Sequence, residues 1–110
     1  MIRIANKSTY EGSDGVYVGR PSLLGNPYTH LADSQHAEFR VSTREEAVEM
    51  YRGWLQERIE EGGTVAKAFE NLVSFYADFG ELTLVCWCAP KRCHAEILKQ
   101  MIEERVNEVG

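Results

Sequence analysis

"LTLVCWCAPKRCHAEIL", residues 82–98, is the stretch that decides the fold class. Its first part, Leu82 to Cys88, is too continuously apolar for an exposed strand and reads as a central strand covered on both faces. Ala89-Pro90 stops it, because proline has no amide hydrogen to give to a ladder. From Cys93 to about Asn107, Ile97, Leu98, Met101, Ile102 and Val106 recur at helical spacing, which predicts an amphipathic helix. A buried strand feeding a helix points to an α/β layer structure.

The remaining elements agree with that reading. Ile2 to Ala5 is a short apolar alternation, Asn6 to Gly15 is turn-rich, and Val16-Tyr17-Val18 is a second strand closed by glycine. From Gly19 to Ser42 two prolines, Gly25, Asn26, His30 and His36 follow no period, which predicts one long ordered loop. Thr43 and Glu46 match a capping box, and Ala47, Val48, Tyr51, Trp54, Leu55 and Ile59 continue as a helix to Gly62-Gly63. A further helix runs from about Val65 to Ala77 and closes at Gly80. The order strand, strand, helix, helix, strand, helix predicts one small α/β domain over residues 1–110, with a short parallel sheet flanked by helices.

Composition bounds the function classes. At 110 residues and 44% hydrophobic content the chain suits one domain with a genuine core. Twelve basic against seventeen acidic side chains give a net charge of -5, so any nucleic-acid contact has to be local. Polar residues follow Met1-Ile2-Arg3-Ile4, and no run has the length of a membrane span, which predicts a cytoplasmic protein with no membrane partner. The three cysteines all fall within residues 86–93, a pattern of metal binding, thiol chemistry or burial rather than of a disulfide framework.

That cluster supports three readings. Strand alternation turns Cys86 and Cys88 to one face and Trp87 to the other, while Cys93 and His94 fall in the first turn of the next helix. Unpaired amides and the helix dipole there lower a thiol pKa and attract anions, and Lys91 and Arg92 add positive charge. In one reading Cys86, Cys88, Cys93 and His94 hold a structural zinc ion, although the spacing is not that of a standard finger. In another, Cys93 is a nucleophile or ligand-facing thiolate, His94 an acid/base or orienting group, and Lys91 and Arg92 grip an anion. In the third the cysteines are small buried hydrophobes and Cys93 packs beneath the helix.

"VYVGRPSLLGNPY", residues 16–28, offers a second strand-to-loop junction. Gly19 permits a sharp exit or a close ligand approach, Arg20 is a fork-shaped donor for phosphate or carboxylate, and Gly25-Asn26-Pro27 is a tight turn carrying an amide. The same residues also suit an ordinary turn followed by a solvated arginine. Neither P-loop nor dinucleotide-fingerprint spacing is present. His30 and His36 read as loop surface, Tyr51 and Trp54 as packing residues, and Arg44 sits in a helix's first turn where the dipole disfavours it.

Taken together, "VYVGR", "GNPY", "AVEMYRGWL" and "LVCWCAPKRCH" resemble a family of small phage and bacterial proteins catalogued as domain of unknown function 4326, over roughly Val16 to Met101. Ala95 stands where the family pattern has glycine, Glu96 keeps its acid, and Tyr28 keeps the ring of its usual phenylalanine. The resemblance implies a compact Rossmann-like, nucleotide-binding-like fold. Gly19, Arg20, Gly25, Asn26, Pro27, Cys86, Trp87, Cys88, Pro90, Cys93 and His94 lie on its motif positions.

The resulting expectation is one pocket formed by Gly19, Arg20, Gly25, Asn26, Lys91, Arg92, Cys93 and His94 for an anionic small molecule such as a nucleotide or nucleotide derivative. Hydrolysis or group transfer on it would fall to Cys93 or His94. The alternative is a zinc-stabilised, non-enzymatic module for a protein or nucleic-acid partner, including a phage-type inhibitor of a host protein in the host cytoplasm.

Overall fold

In a computed structural model, residues 1–20, 22–29, 39–87 and 93–109 are described. The strand predicted from the apolar run, here called β5 because four strands precede it, spans Leu82–Cys86. It lies at the centre of a three-stranded sheet between β1, Ile2–Asn6, and β2, Val16–Tyr17. Both neighbours run parallel to it, with Asn6 opposite Cys86 and Tyr17 opposite Val85. The bonds Lys7 N–H to Cys86 O and Val18 N–H to Val85 O, 2.8 and 2.9 Å, extend the ladders past the assigned strand ends. Parallel pairing therefore brings the carboxyl ends of all three strands to one edge.

Two features of the strands differ from expectation. The region Gly19 to Ser42 is not one irregular loop, because β3, Tyr28–Thr29, pairs in parallel with β4, Phe39–Arg40. The expected strand to Cys88 ends two residues earlier, at Cys86, with a bend at Trp87. Cys88 itself, like Pro21, His30 and His36, is outside the described residues.

The helices follow their local signals. α1 spans Arg44–Glu61, with the Thr43 hydroxyl accepting from Glu46 N–H at 3.1 Å and Gly62 ending it at φ 76°. α2 spans Thr64–Phe79 and stops at Gly80, φ 72°. In that left-handed region glycine carries no Cβ penalty, so each glycine supplies the backbone turn that ends the helix. α3 spans His94–Val109.

Alternation along the sheet separates two environments. Ile2, Val18, Leu82, Leu84 and Cys86 join the core formed by Val48, Tyr51 and Leu55 of α1, Phe69, Leu72 and Val73 of α2, and Ala95, Ile97, Leu98 and Ile102 of α3. Val85, on the opposite face, is equally buried but is covered by the segment carrying Tyr10 and Gly15. The central strand is thus covered on one face by the helices and on the other by a loop segment against Val85, with half-buried Thr83 on that second face. No helix among the described residues is long and apolar enough to cross a membrane.

Leu84 is fully buried at the centre of this core. Leu84→Ala should lower unfolding free energy by about 2–5 kcal/mol, the usual cost of such a core truncation, as read from the urea midpoint at an unchanged denaturant slope.

Candidate functional site

The chain leaves β2 at Val18 and enters a sequence of tight local contacts. Tyr17 donates its phenol to Arg20 O at 2.6 Å, Ser22 N–H to Gly19 O at 2.9 Å, and Gly25 N–H to Ser22 O at 3.0 Å. The fold back is close: a Cβ on Gly25 would sit 3.0 Å from Arg20 Cα, and one on Gly19 would sit 2.5 Å from the Tyr17 oxygen. Gly25 therefore lets the second half of the loop lie directly on Arg20.

Buried polar contacts fasten this loop to the helices. Asn26 accepts from Tyr28 N–H at 2.9 Å through its side-chain oxygen, an Asx-type turn, and donates its amide to Ala47 O of α1 at 2.9 Å. Tyr51, fully buried on α1, donates to Leu24 O at 2.7 Å. The Tyr51 ring meets the His94 ring edge-on at a centroid distance of 5.0 Å. His94, buried at the first position of α3, places Nε2 2.5 Å from Val18 O. A carbonyl only accepts, so Nε2 carries a proton and donates.

The electrostatics of these groups follow from burial. Desolvation pushes the His94 pKa down to about 4, with the Arg20 charge acting in the same direction and the Val18 bond opposing both. His94 is therefore a neutral imidazole at pH 7, with its donor turned to the end of β2. Burial also holds the Tyr51 phenol well above its ordinary range, and a charge on Cys93 acts in the same direction. Tyr51 remains a protonated donor.

Cys93 immediately precedes α3, with its carbonyl accepting from Glu96 N–H at 3.1 Å. The sequence placed it inside the first turn, whereas it is the residue from which that turn starts. Its sulfur is buried and 3.2 Å from the buried sulfur of Cys86. The structure thus brings together Gly19, Arg20, Gly25, Asn26, Cys86, Cys93 and His94 from β2, its following loop, β5 and α3. Cys88, Lys91 and Arg92 are outside the described residues. No group of three or more His, Cys, Asp or Glu among the described residues is arranged to hold a metal ion.

Two features were not read from the sequence. Arg20 Nη1 and Ser22 Oγ are both buried and have no hydrogen-bond partner among the described residues. An unsatisfied buried donor costs about 1–3 kcal/mol, more when charged, so two in one loop are a notable concentration among the described residues. Ser22 had a legible signal, a hydroxyl between Arg20 and Gly25 in a glycine-bounded loop. The other feature is Trp87, 59% exposed just past β5. Its carbonyl accepts from the Asn6 side chain at 3.0 Å, which fixes its backbone against the end of β1. Two cavities among the described residues, about 280 and 260 Å³, lie at the amino end of β5 near Met1 and Leu82 and between α2 and α3 near Tyr76 and Val106.

The model of the family described as Domain of unknown function (DUF4326) matches residues 2–104. The chain belongs to that family. No curated protein and no solved structure matches it. In this DUF4326 member the "VYVGR", "GNP" and "CH" stretches lie side by side because β2 and β5 are parallel neighbours and His94 bonds across to β2.

The neutral His94 has a measurable consequence. The unfolded chain takes up a proton near pH 6.5 and the folded protein only near pH 4, so the unfolded state holds more protons between them. Stability contributed by His94 should be fully present above pH 6.5 and fall by about 3 kcal/mol on acidification to pH 4. Urea unfolding of wild type and His94→Gln across that range should show this slope in their difference; parallel curves would contradict the assignment.

Proposed function

We propose that this protein binds an anionic small molecule, a nucleotide or nucleotide derivative, at the carboxyl edge of its sheet. The observation that carries this reading is the pair of buried, unsatisfied donors, Arg20 Nη1 and Ser22 Oγ. A guanidinium and a hydroxyl with open hydrogen-bonding capacity suit phosphate oxygens, which accept charge-assisted bonds. Their place agrees with it. Open α/β sheets take ligands beyond the carboxyl ends of their strands, and the start of α3 beside Arg20 adds a favourable dipole for negative charge.

Exposed Trp87 supports a nucleotide over a bare anion, because it offers an aromatic face at the same sheet edge, where a base can stack. Gly19 and Gly25 keep the loop close to Arg20, and Asn26 anchors it to α1, so the donors are preorganised before a ligand arrives. His94 serves this reading as a positioning residue: neutral and bonded to Val18, it holds the loop exit against α3. For hydrolysis or group transfer on the ligand, Cys93 is the nucleophile candidate.

Titration calorimetry and thermal shift against nucleoside mono-, di- and triphosphates test the reading, with inorganic phosphate as the control. At least one nucleotide should raise the Tm of wild type, and Arg20→Ala should weaken its binding about 10- to 100-fold, the worth of a charge-assisted bond. A flat response across the panel, or equal binding by Arg20→Ala, would count against it.

A further inference from the structure

The contact between the sulfurs of Cys86 and Cys93 is not used by the proposed ligand site. Cys86 ends the central strand and Cys93 precedes α3, so two different elements deliver the thiols to one point. Their 3.2 Å separation is a little over 1 Å longer than the roughly 2.05 Å of a disulfide bond. Rotation about the two Cα–Cβ bonds and a small shift of the residue ahead of α3 can close such a gap. The chain between them is short, with six intervening residues, so little loop entropy opposes the reaction.

We propose that Cys86 and Cys93 are a reversible dithiol–disulfide pair, oxidised by a small hydroperoxide. Cys93, the residue from which α3 starts, is the attacking group, since the helix dipole favours negative charge at that end. The thiolate attacks one peroxide oxygen, the O–O bond breaks, and the sulfur becomes a sulfenic acid as the hydroperoxide is reduced to water or an alcohol. The Cys86 sulfur then attacks the Cys93 sulfur, forming the S–S bond and releasing the hydroxyl as water with the Cys86 proton. With hydrogen peroxide the sum is two thiols and one peroxide giving one disulfide and two waters. A small-molecule dithiol reverses it by exchange, becoming a cyclic disulfide itself. Burial of both thiols restricts the oxidant to molecules near the size of hydrogen peroxide and withholds the pair from bulky disulfides. Because Cys93 adjoins His94, oxidation moves the residue next to the one that holds the exit of β2, and it consumes the thiol offered above as the nucleophile candidate.

The test treats the reduced full-length protein with hydrogen peroxide, alkylates it under denaturing conditions, and maps the tryptic peptides by mass spectrometry. Trypsin cuts after Lys91 and Arg92, so Cys86 and Cys93 fall on different peptides and a bond between them appears as a linked pair lighter than the sum by two hydrogens. Two of the three thiols should be lost and should return after dithiothreitol. Cys88→Ser should still give the linked pair, which separates Cys86 from its neighbour, whereas Cys86→Ser should not. Three thiols persisting in wild type, a bond from Cys93 to Cys88, or oxidation that dithiothreitol does not reverse would each overturn the proposal. So would one equivalent of zinc in the purified protein whose removal by a chelator is required before either thiol reacts.

Discussion

The hydrogen bond from His94 Nε2 to Val18 O is the constraint on which the candidate site rests. It crosses from the start of α3 to the exit of β2, elements separated by 76 positions in sequence. The bond needs an imidazole that keeps its Nε2 proton, and an environment in which that proton has no better partner in water. Burial supplies both, since the same desolvation that keeps the ring neutral also makes loss of the bond expensive. Tyr51 packs edge-on against the ring and holds Leu24 O with its own hydroxyl, so α1 braces the junction from below. The loop from Gly19 to Asn26 is thereby held at both ends by buried side chains, though it belongs to no regular element.

Against that frame the unsatisfied donors stand out. A loop so thoroughly hydrogen-bonded elsewhere leaves Arg20 Nη1 and Ser22 Oγ without partners among the described residues, at the edge where parallel sheets receive ligands. The sulfur pair adjoins the same junction but belongs to a different layer, beneath the end of β5 and inside the core. The proposed anion site and the proposed thiol pair are thus neighbours, linked through the backbone from Cys93 to His94.

Much of the fold was legible because its signals are local. The capping hydroxyl of Thr43, the glycines at 62 and 80 and the 3.6-residue period of α1, α2 and α3 each depend on a few neighbouring residues. The extent of β5 was overestimated, because an apolar run reports burial and not pairing, and Cys86 has a strand partner in Asn6 while Trp87 bends away. β3 and β4 escaped notice since two-residue strands carry no period, and a parallel pair has no hairpin turn to announce it. In the site, Gly19, Arg20, Gly25, Asn26, Cys93 and His94 were legible as chemistry-bearing types. Their roles were not: His94 was weighed as metal ligand or acid/base, and only its burial shows that it is a neutral donor to a carbonyl.

The sequence by itself determined the α/β class, the helix limits, the centrality of the Leu82 strand and the two motif segments in which functional side chains concentrate. These follow from periodicity, capping and turn chemistry, which act over a few residues. Tertiary structure alone decided that β1, β5 and β2 lie in that order, that their carboxyl ends meet at one edge, and that Val18, Arg20, Cys86, Cys93 and His94 become neighbours. The physical reason is that a parallel pair has no local turn to announce it. Its register is set by which apolar faces can be buried together, and that is a property of the packed chain as a whole.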